Sequence, residues 1–323
     1  TVSILGSIIT PGRNITIGGG GNTASVFQDP NRALVTTYIG SNAHLSAAGT
    51  TVLAPDPFGR RTGTVLNGGN ITLTGNIAAA AGAVLDVSGT SGILDLDPGN
   101  GQAVSNATSL PGNPLNRPLQ SRATVPTRID SNGGTITLQG SEVLSSDATL
   151  LANAGGSTAL GGKLVVSSGR FDPSSVIPPA SAVTLAVSQS GALLGGNVGI
   201  GSDIGNTGRF VVDSFTSGGF DSLELGGVVS FTGPVNIQAR GEVTLAGTGY
   251  VRADSTVNIG AAHVTIGKQD IIPDLPEEVR NPFSENTLPT YGSGSLNVSA
   301  GLIDAGSLSS ANIGNITLAA ENG

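Results

Sequence analysis

Apolar and polar residues alternate in short runs along this chain, and the runs repeat behind a common lead. Five times, two glycines and one free position precede alternating apolar residues. The copies are Gly68-Gly69-Asn70-Ile71-Thr72-Leu73, Gly133-Gly134-Thr135-Ile136-Thr137-Leu138, Gly161-Gly162-Lys163-Leu164-Val165-Val166, Gly195-Gly196-Asn197-Val198-Gly199-Ile200 and Gly226-Gly227-Val228-Val229-Ser230-Phe231. Looser copies lack one or both glycines: Asn14 to Ile17, Glu242 to Leu245, His263 to Ile266, Ser295 to Val298 and Asn315 to Leu318. Each copy reads as a turn followed by a short strand with one apolar face. A strand so short cannot bury its face alone, but stacked on its own copies it can, so the repeat predicts a solenoid. Ile71, Leu73, Ile136, Leu138, Leu164, Val166, Val243, Leu245, Val264 and Ile266 are then expected to point inward as aliphatic columns.

Apolar strand starts at Leu223, Val235, Val243, Val257 and Val264 set the period. Leu223 to Val243 is 20 residues, Val235 to Val257 is 22, Val243 to Val264 is 21, and Leu296 to Ile316 is 20. A coil of about 20 residues with two or three short strands is the spacing of a parallel β-helix. A second strand type recurs between the Gly-Gly strands, at 43–47, 83–88 and 148–152, and reads as another face of the same coil. Helical periodicity is absent throughout.

Three segments break the repeat. Residues 90–130, 170–182 and 270–291 hold 12 of the 17 prolines. Proline cannot donate to a ladder, so these segments are expected to be insertions outside the shaft, with few ladder hydrogen bonds. A weaker break spans 22–32. Setting aside about 75 inserted residues leaves about 12 coils, a rod of roughly 55–60 Å at the ~4.8 Å strand spacing. The whole of 1–323 is read as one shaft segment. Neither end looks capped, and no signal peptide opens the chain, so it reads as an internal piece of a longer polypeptide.

Composition agrees with a narrow interior. Gly accounts for 50 of 323 residues and aromatics for 3%, so small and β-branched side chains dominate. A net charge of −8 and the lack of a basic patch argue against nucleic acid and against electrostatic docking on anionic membranes. The chain contains no Cys, which removes thiolate and disulfide chemistry and suits export in an unfolded state. No run of about 18 apolar residues marks a membrane-spanning helix.

Candidate chemistry is sparse. Asp95, Asp97 and Asn100 put three oxygen ligands in a Gly-rich loop, a weak calcium candidate, but no closing bidentate Glu follows and a plain turn is the better reading. His44 and His263, the only histidines, read as lone residues in strands. The carboxylates Asp86, Asp130, Asp147, Asp213, Asp221, Glu224 and Glu242 are dispersed, whereas polysaccharide-cleaving β-helices cluster theirs in a groove. No catalytic residue, cofactor or obligatory metal is expected. Asn14, Asn70, Asn197, Asn236, Asn258, Asn297 and Asn315 recur at strand starts, where an amide can bond the neighbouring coil and Asn tolerates left-handed geometry.

The stretches 8–17, 38–50 and 59–69, with Gly59-Arg60-Arg61-Thr62-Gly63 the sharpest of them, resemble filamentous haemagglutinin-like large exoproteins, the secreted partners of bacterial two-partner secretion. So do 84–89 and 218–223. The resemblance covers residues 1–270 well and the rest loosely. It implies a right-handed parallel β-helix, export through an outer-membrane barrel transporter, and a secreted or cell-surface adhesin acting in adhesion, biofilm or a surface filament. Expected partners are that transporter, a receptor on a host or neighbouring cell, and further copies end to end. A self-assembling extracellular fibre, a stalk for contact-dependent toxin delivery and a β-helical polysaccharide-active enzyme remain as alternatives.

Overall fold

A computed structural model describes residues 1–20, 34–54, 56–96, 124–169, 184–205, 207–246, 250–267 and 290–321. Among these residues the chain is almost entirely β-structure, dominated by a 16-stranded sheet whose neighbours are parallel. Its registers resolve into ladders running through the molecule, and their geometry accounts for the sequence repeat.

The first ladder joins Asn14–Gly18, 70–75, 135–140, Lys163–Ser168, Ser222–Gly226, Glu242–Ala246, 263–266 and 302–305. Ile15, Ile71, Ile136, Leu164, Leu223, Val243 and Val264 are successive Cα partners in it, and all are buried. All ten side chains expected to point inward do so, because period-two alternation leaves each strand one apolar face to bury. The spacings read from the sequence reappear as register: Leu223 pairs with Val243, Val243 with Val264, Val235 with Val257, and Leu296 with Ile316.

The second ladder starts with Val2–Ile4, Thr37–Ile39, 77–79 and 144–146. Gly208–Val211, Leu185–Ser188, Val229–Phe231, Tyr250–Ala253 and 309–311 then complete it. Its longest run is thus nine strands among the described residues, shorter than the twelve levels expected. The excess came from segments that read as part of the repeat but leave the ladders, described below.

A separate four-stranded sheet holds Ser7–Ile9, His44–Ser46, Val84–Asp86 and Thr149–Leu151. These are the second strand type of the sequence, and they lie in a sheet of their own whose Leu45, Leu85 and Leu150 join the same core as the first ladder.

Beyond Thr149–Leu151 comes the one helix among the described residues, Val212–Ser217, which corrects the expectation of no helix. It packs between Thr149–Leu151 and Val235–Gln238. Its buried face is Val212 and Phe215, and Phe215 stacks on Phe220 with centroids 6.2 Å apart. An α-helix is about 10 Å across, the height of about two strands. The second ladder supplies two strands at that level, Gly208–Val211 and Leu185–Ser188, and they stack in reverse sequence order.

The Gly-Gly lead is explained by close backbone approach. A Cβ on Gly69 would lie 1.8 Å from the Arg13 carbonyl oxygen, and one on Gly134 would lie 1.8 Å from that of Gly69. On Gly162 it would lie 2.1 Å from the Gly134 oxygen. Three of the five copies therefore share one glycine column, in which only hydrogen fits between successive strands. Gly195 and Gly196 have no atom within 4 Å of a Cβ, and 195–200 forms no strand, contrary to the sequence reading. In the fifth copy the strand is Val229–Phe231, with Val228 also buried.

Asparagine does bond across strands. The Asn70 Nδ2 donates to Asn14 Oδ1 at 3.0 Å, and Asn297 Nδ2 donates to Asn258 Oδ1 at 3.0 Å. At the glycine turns, Asn132 N–H donates to Asn67 Oδ1 at 3.0 Å and Leu160 N–H to Asn132 Oδ1 at 2.9 Å. The left-handed role is not theirs: among the described residues the only non-Gly position with positive φ is Asn312.

Of the insertion 90–130, residues 97–123 fall outside the described residues; its described ends lie outside the large sheet and, unlike the expectation of few ladder bonds, are well paired. Ser91–Leu96 and Val125–Asp130 form an antiparallel ladder of their own, with Pro126 opposite Asp95. Pro is tolerated there because the ladder has only two strands and hence two edges. A second antiparallel pair, Thr51–Leu53 with Gly63–Val65, encloses the Arg60-Arg61 turn and is a further excursion from the large sheet, beyond the three segments expected to leave it. The insertion 170–182, the break 22–32 and nearly all of 270–291 fall outside the described residues; at the last one's end, Thr290 already begins the strand Thr290–Ala305.

Candidate functional site

The sequence-based candidates are placed as follows. Asp97 and Asn100 lie outside the described residues. Asp95 lies beside the Arg60-Arg61 turn, where its Oδ1 accepts from Arg61 Nη2 at 2.9 Å and its Oδ2 from the Arg61 backbone N–H at 2.7 Å. The Arg61 guanidinium and backbone N–H hold the Asp95 carboxyl below its usual range. This carboxylate joins two hairpins. Among the described residues no three His, Asp or Glu side chains are placed to hold a metal ion.

The dispersed carboxylates each meet a nearby partner. Asp86 caps the Ser88 N–H at 2.8 Å. Asp130 pairs with Arg128 at 2.7 Å, which lowers its pKa, and accepts from Thr158. Asp213 accepts from Gln189 Nε2 at 2.8 Å. Asp221 pairs with Arg240 and accepts the Gly161 N–H, each at 2.7 Å. Glu224 pairs with Lys163 at 2.7 Å.

His44 is half-buried in its strand. His263 is not alone. Its Nε2 lies 2.8 Å from Asp304 Oδ2 and its Nδ1 3.6 Å from Glu242 Oε1. The two carboxylates approach opposite ring nitrogens, so they do not converge on one point. One half of this triplet is legible in the sequence, because the 21-residue step that pairs Val243 with Val264 also sets Glu242 opposite His263; Asp304 comes from the strand beyond the insertion 270–291.

The concave site is elsewhere, under residues 189–205. After Leu185–Ser188 the chain leaves the sheet, runs back toward the Thr37–Ile39 strand, and returns as Gly208–Val211. Asp147 fixes the outward limb, accepting the Leu193 N–H at 2.7 Å and the Leu194 N–H at 2.9 Å. The far end is tied to Val35, whose N–H donates to Ser202 O at 3.0 Å and whose carbonyl accepts from Gly201 N–H at 2.9 Å. Gly196, Gly201 and Gly205 take positive φ, which lets the limb turn tightly. Ala78 and Ser145, on the outward positions of their strands, are fully buried.

Between this strap and the sheet lies a cleft of about 580 Å³, lined by Leu193, Leu194, Gly195, Asn197, Val198, Ser202, Asp203, Ile204, Gly205 and Arg209. That size suits a small ligand. Arg209 is half-buried. Its Nη1 donates to the Leu193 carbonyl at 3.3 Å and its Nη2 to the Ile204 carbonyl. Arg60, Arg61, Arg128, Arg240 and Lys163 each have an acidic partner; among the described residues Arg13, Arg209 and Arg252 have none, and of these three only Arg209 is half-buried. This cleft has no trace in the sequence, because a chain reversal that slips a later strand beneath an earlier one has no local signature.

No helix among the described residues is long and apolar enough to cross a membrane. Comparison with protein-family models, curated proteins and solved structures found no match.

Proposed function

We propose that the chain is a right-handed parallel β-helix of about 20 residues per coil, and that it serves as a structural and adhesive shaft. In this reading it belongs to a large secreted bacterial surface protein of the filamentous haemagglutinin-like kind. The observation that carries the reading is the first ladder: parallel strands from distant parts of the chain bring one aliphatic residue of each into a single buried column. A stack of this kind supplies length and stiffness. The carboxylates are engaged in ion pairs and turn caps, which fits a scaffold. Export through an outer-membrane barrel transporter, display at the cell surface and contact with a receptor follow from the same reading.

The fold is tested by cysteine pairs in a chain that has none of its own. Thr72 and Thr137 are register partners. Replacing both by Cys should give a cross-link under mild oxidation, and a pair at Thr72 and Glu224 should not. The function is tested in the parent protein on cells. Replacing this segment with an unrelated β-helix of equal length should preserve adhesion, and deleting it should reduce adhesion. Unchanged adhesion and biofilm after deletion would overturn the shaft reading. A toxin domain downstream in the parent would favour the delivery stalk.

A further inference from the structure

The geometry points to the cleft under the 189–205 strap as a binding site for a small hydroxylated monocarboxylate, of the sugar-acid type, with Arg209 as the anchor. This rests on the cleft alone and stands whether or not the shaft reading does. A guanidinium carries five N–H donors in a fixed fork and pairs preferentially with carboxylates. At Arg209 one N–H each of Nη1 and Nη2 goes to a backbone carbonyl. No acidic side chain among the described residues neutralises the charge, although the chain as a whole carries −8. A half-buried cation met, among the described residues, by two carbonyl dipoles leaves donors for an incoming anion.

The rest of the lining sets the class of anion. Asn197 and Ser202 offer hydrogen-bonding groups suited to hydroxyls, and Leu194, Val198 and Ile204 supply apolar wall. Asp203 lines the same cleft, where its Oδ1 accepts the Gly205 N–H at 3.1 Å, so a second carboxylate on the ligand would meet an acceptor there, and a single carboxylate beside Arg209 is the better fit. There is no aromatic platform, so affinity depends on the charged bond and the polar contacts and falls in the millimolar to sub-millimolar range.

The test uses the full 323-residue chain titrated with D-glucuronate, its uncharged methyl ester, glucose and inorganic phosphate, followed by calorimetry and ligand-observed NMR. Saturable binding of glucuronate is expected, at least about tenfold tighter than the ester, with glucose and phosphate weaker still. Arg209→Gln should lower glucuronate affinity by about tenfold or more. Because that change also removes two bonds to the strap, Asn197→Ala supplies the second variant: its side chain is exposed, so it should weaken binding severalfold at an unchanged unfolding midpoint. Equal binding of acid and ester, or affinity unaffected by Arg209→Gln, would overturn the assignment to Arg209. Phosphate binding as well as glucuronate, or Asn197→Ala leaving affinity untouched, would overturn the hydroxylated class. No saturable glucuronate binding in the millimolar range would overturn the site itself.

Discussion

Residues 133–138 and 195–200 carry the same text, Gly-Gly-x-apolar-x-apolar, and have opposite fates. In the first, Ile136 and Leu138 are buried and paired on both sides, to Ile71 and Leu73 below and to Leu164 and Val166 above. In the second there is no strand, and Ile200 is 42% exposed. The difference lies in what surrounds the glycines. Gly134 sits where two backbones touch, whereas Gly195 faces open space. Local alternation therefore proposes a strand, but a neighbour in register decides it.

The largest contrast comes from putting a charge into each copy. Ile136→Asp should prevent folding of the chain or cost more than about 4 kcal/mol, because a buried carboxylate without a partner is left between two aliphatic neighbours. Ile200→Asp, in the strap, should change stability by less than about 0.5 kcal/mol. Urea unfolding followed by far-UV circular dichroism measures both. Similar effects at the two positions would mean that 195–200 also packs in the column.

Next in size is the glycine test. Gly134→Ala places a methyl group 1.8 Å from the Gly69 carbonyl oxygen, and that contact is backbone on both sides, so the two strands must separate. A loss of about 2–4 kcal/mol is expected, in the range of overpacked sites. Gly195→Ala should be neutral. A tolerated Gly134→Ala would show that the strands at this turn are farther apart than described.

How much of this was legible turns on range. The columns, the 20–22-residue registers and the second strand type could be read, because alternation and a repeated spacing are properties of the sequence itself. Two features were hidden. The helix Val212–Ser217 shows only Val212 and Phe215 as an apolar pair, too few for a helical period to stand out, and it is held by Gln189, whose carbonyl accepts the Asp213 N–H at 3.0 Å. Arg209 gave no sign because its strand is inserted between Ser145 and Ala186, positions set by a chain reversal rather than by any repeat. The surface triplet at His263 is half of each kind: the 21-residue spacing sets Glu242 opposite His263, but Asp304 arrives by a register that spans the insertion 270–291 and has no repeat to announce it.

A smaller effect separates the two asparagines that flank these Gly-Gly pairs, Asn132 before the first and Asn197 after the second. The Asn132 side chain receives the Leu160 N–H, and Asn132→Ala should cost about 1 kcal/mol. Asn197→Ala, which lies in the strap, should leave the unfolding midpoint where it is. Thermal melts of the two variants side by side decide the point, and equal destabilisation would assign Asn197 a structural bond.

The smallest effect sharpens the comparison at the hairpins, which stand outside the columns as the strap does but are tied by charge. Asp95 is held below its ordinary pKa, first by the Arg61 side-chain bond and then by the Arg61 backbone N–H. A depressed folded-state pKa means that the unfolded or undocked state binds the proton more readily. The contact therefore contributes fully above the ordinary Asp value of about 3.9 and is lost as pH falls through the lower folded value. Both residues are solvent-accessible, so the expected change is local: the two hairpins part while the columns stay intact. Amide signals of Arg61 and Asp95, followed by NMR from neutral pH downward, should move together at a midpoint below 3.9, while those of Ile136 and Leu138 stay still. In Asp95→Asn the shared transition should vanish. A midpoint at the ordinary value, or a transition that survives in Asp95→Asn, would show that the hairpins are joined by their apolar and backbone contacts and owe nothing to the ion pair.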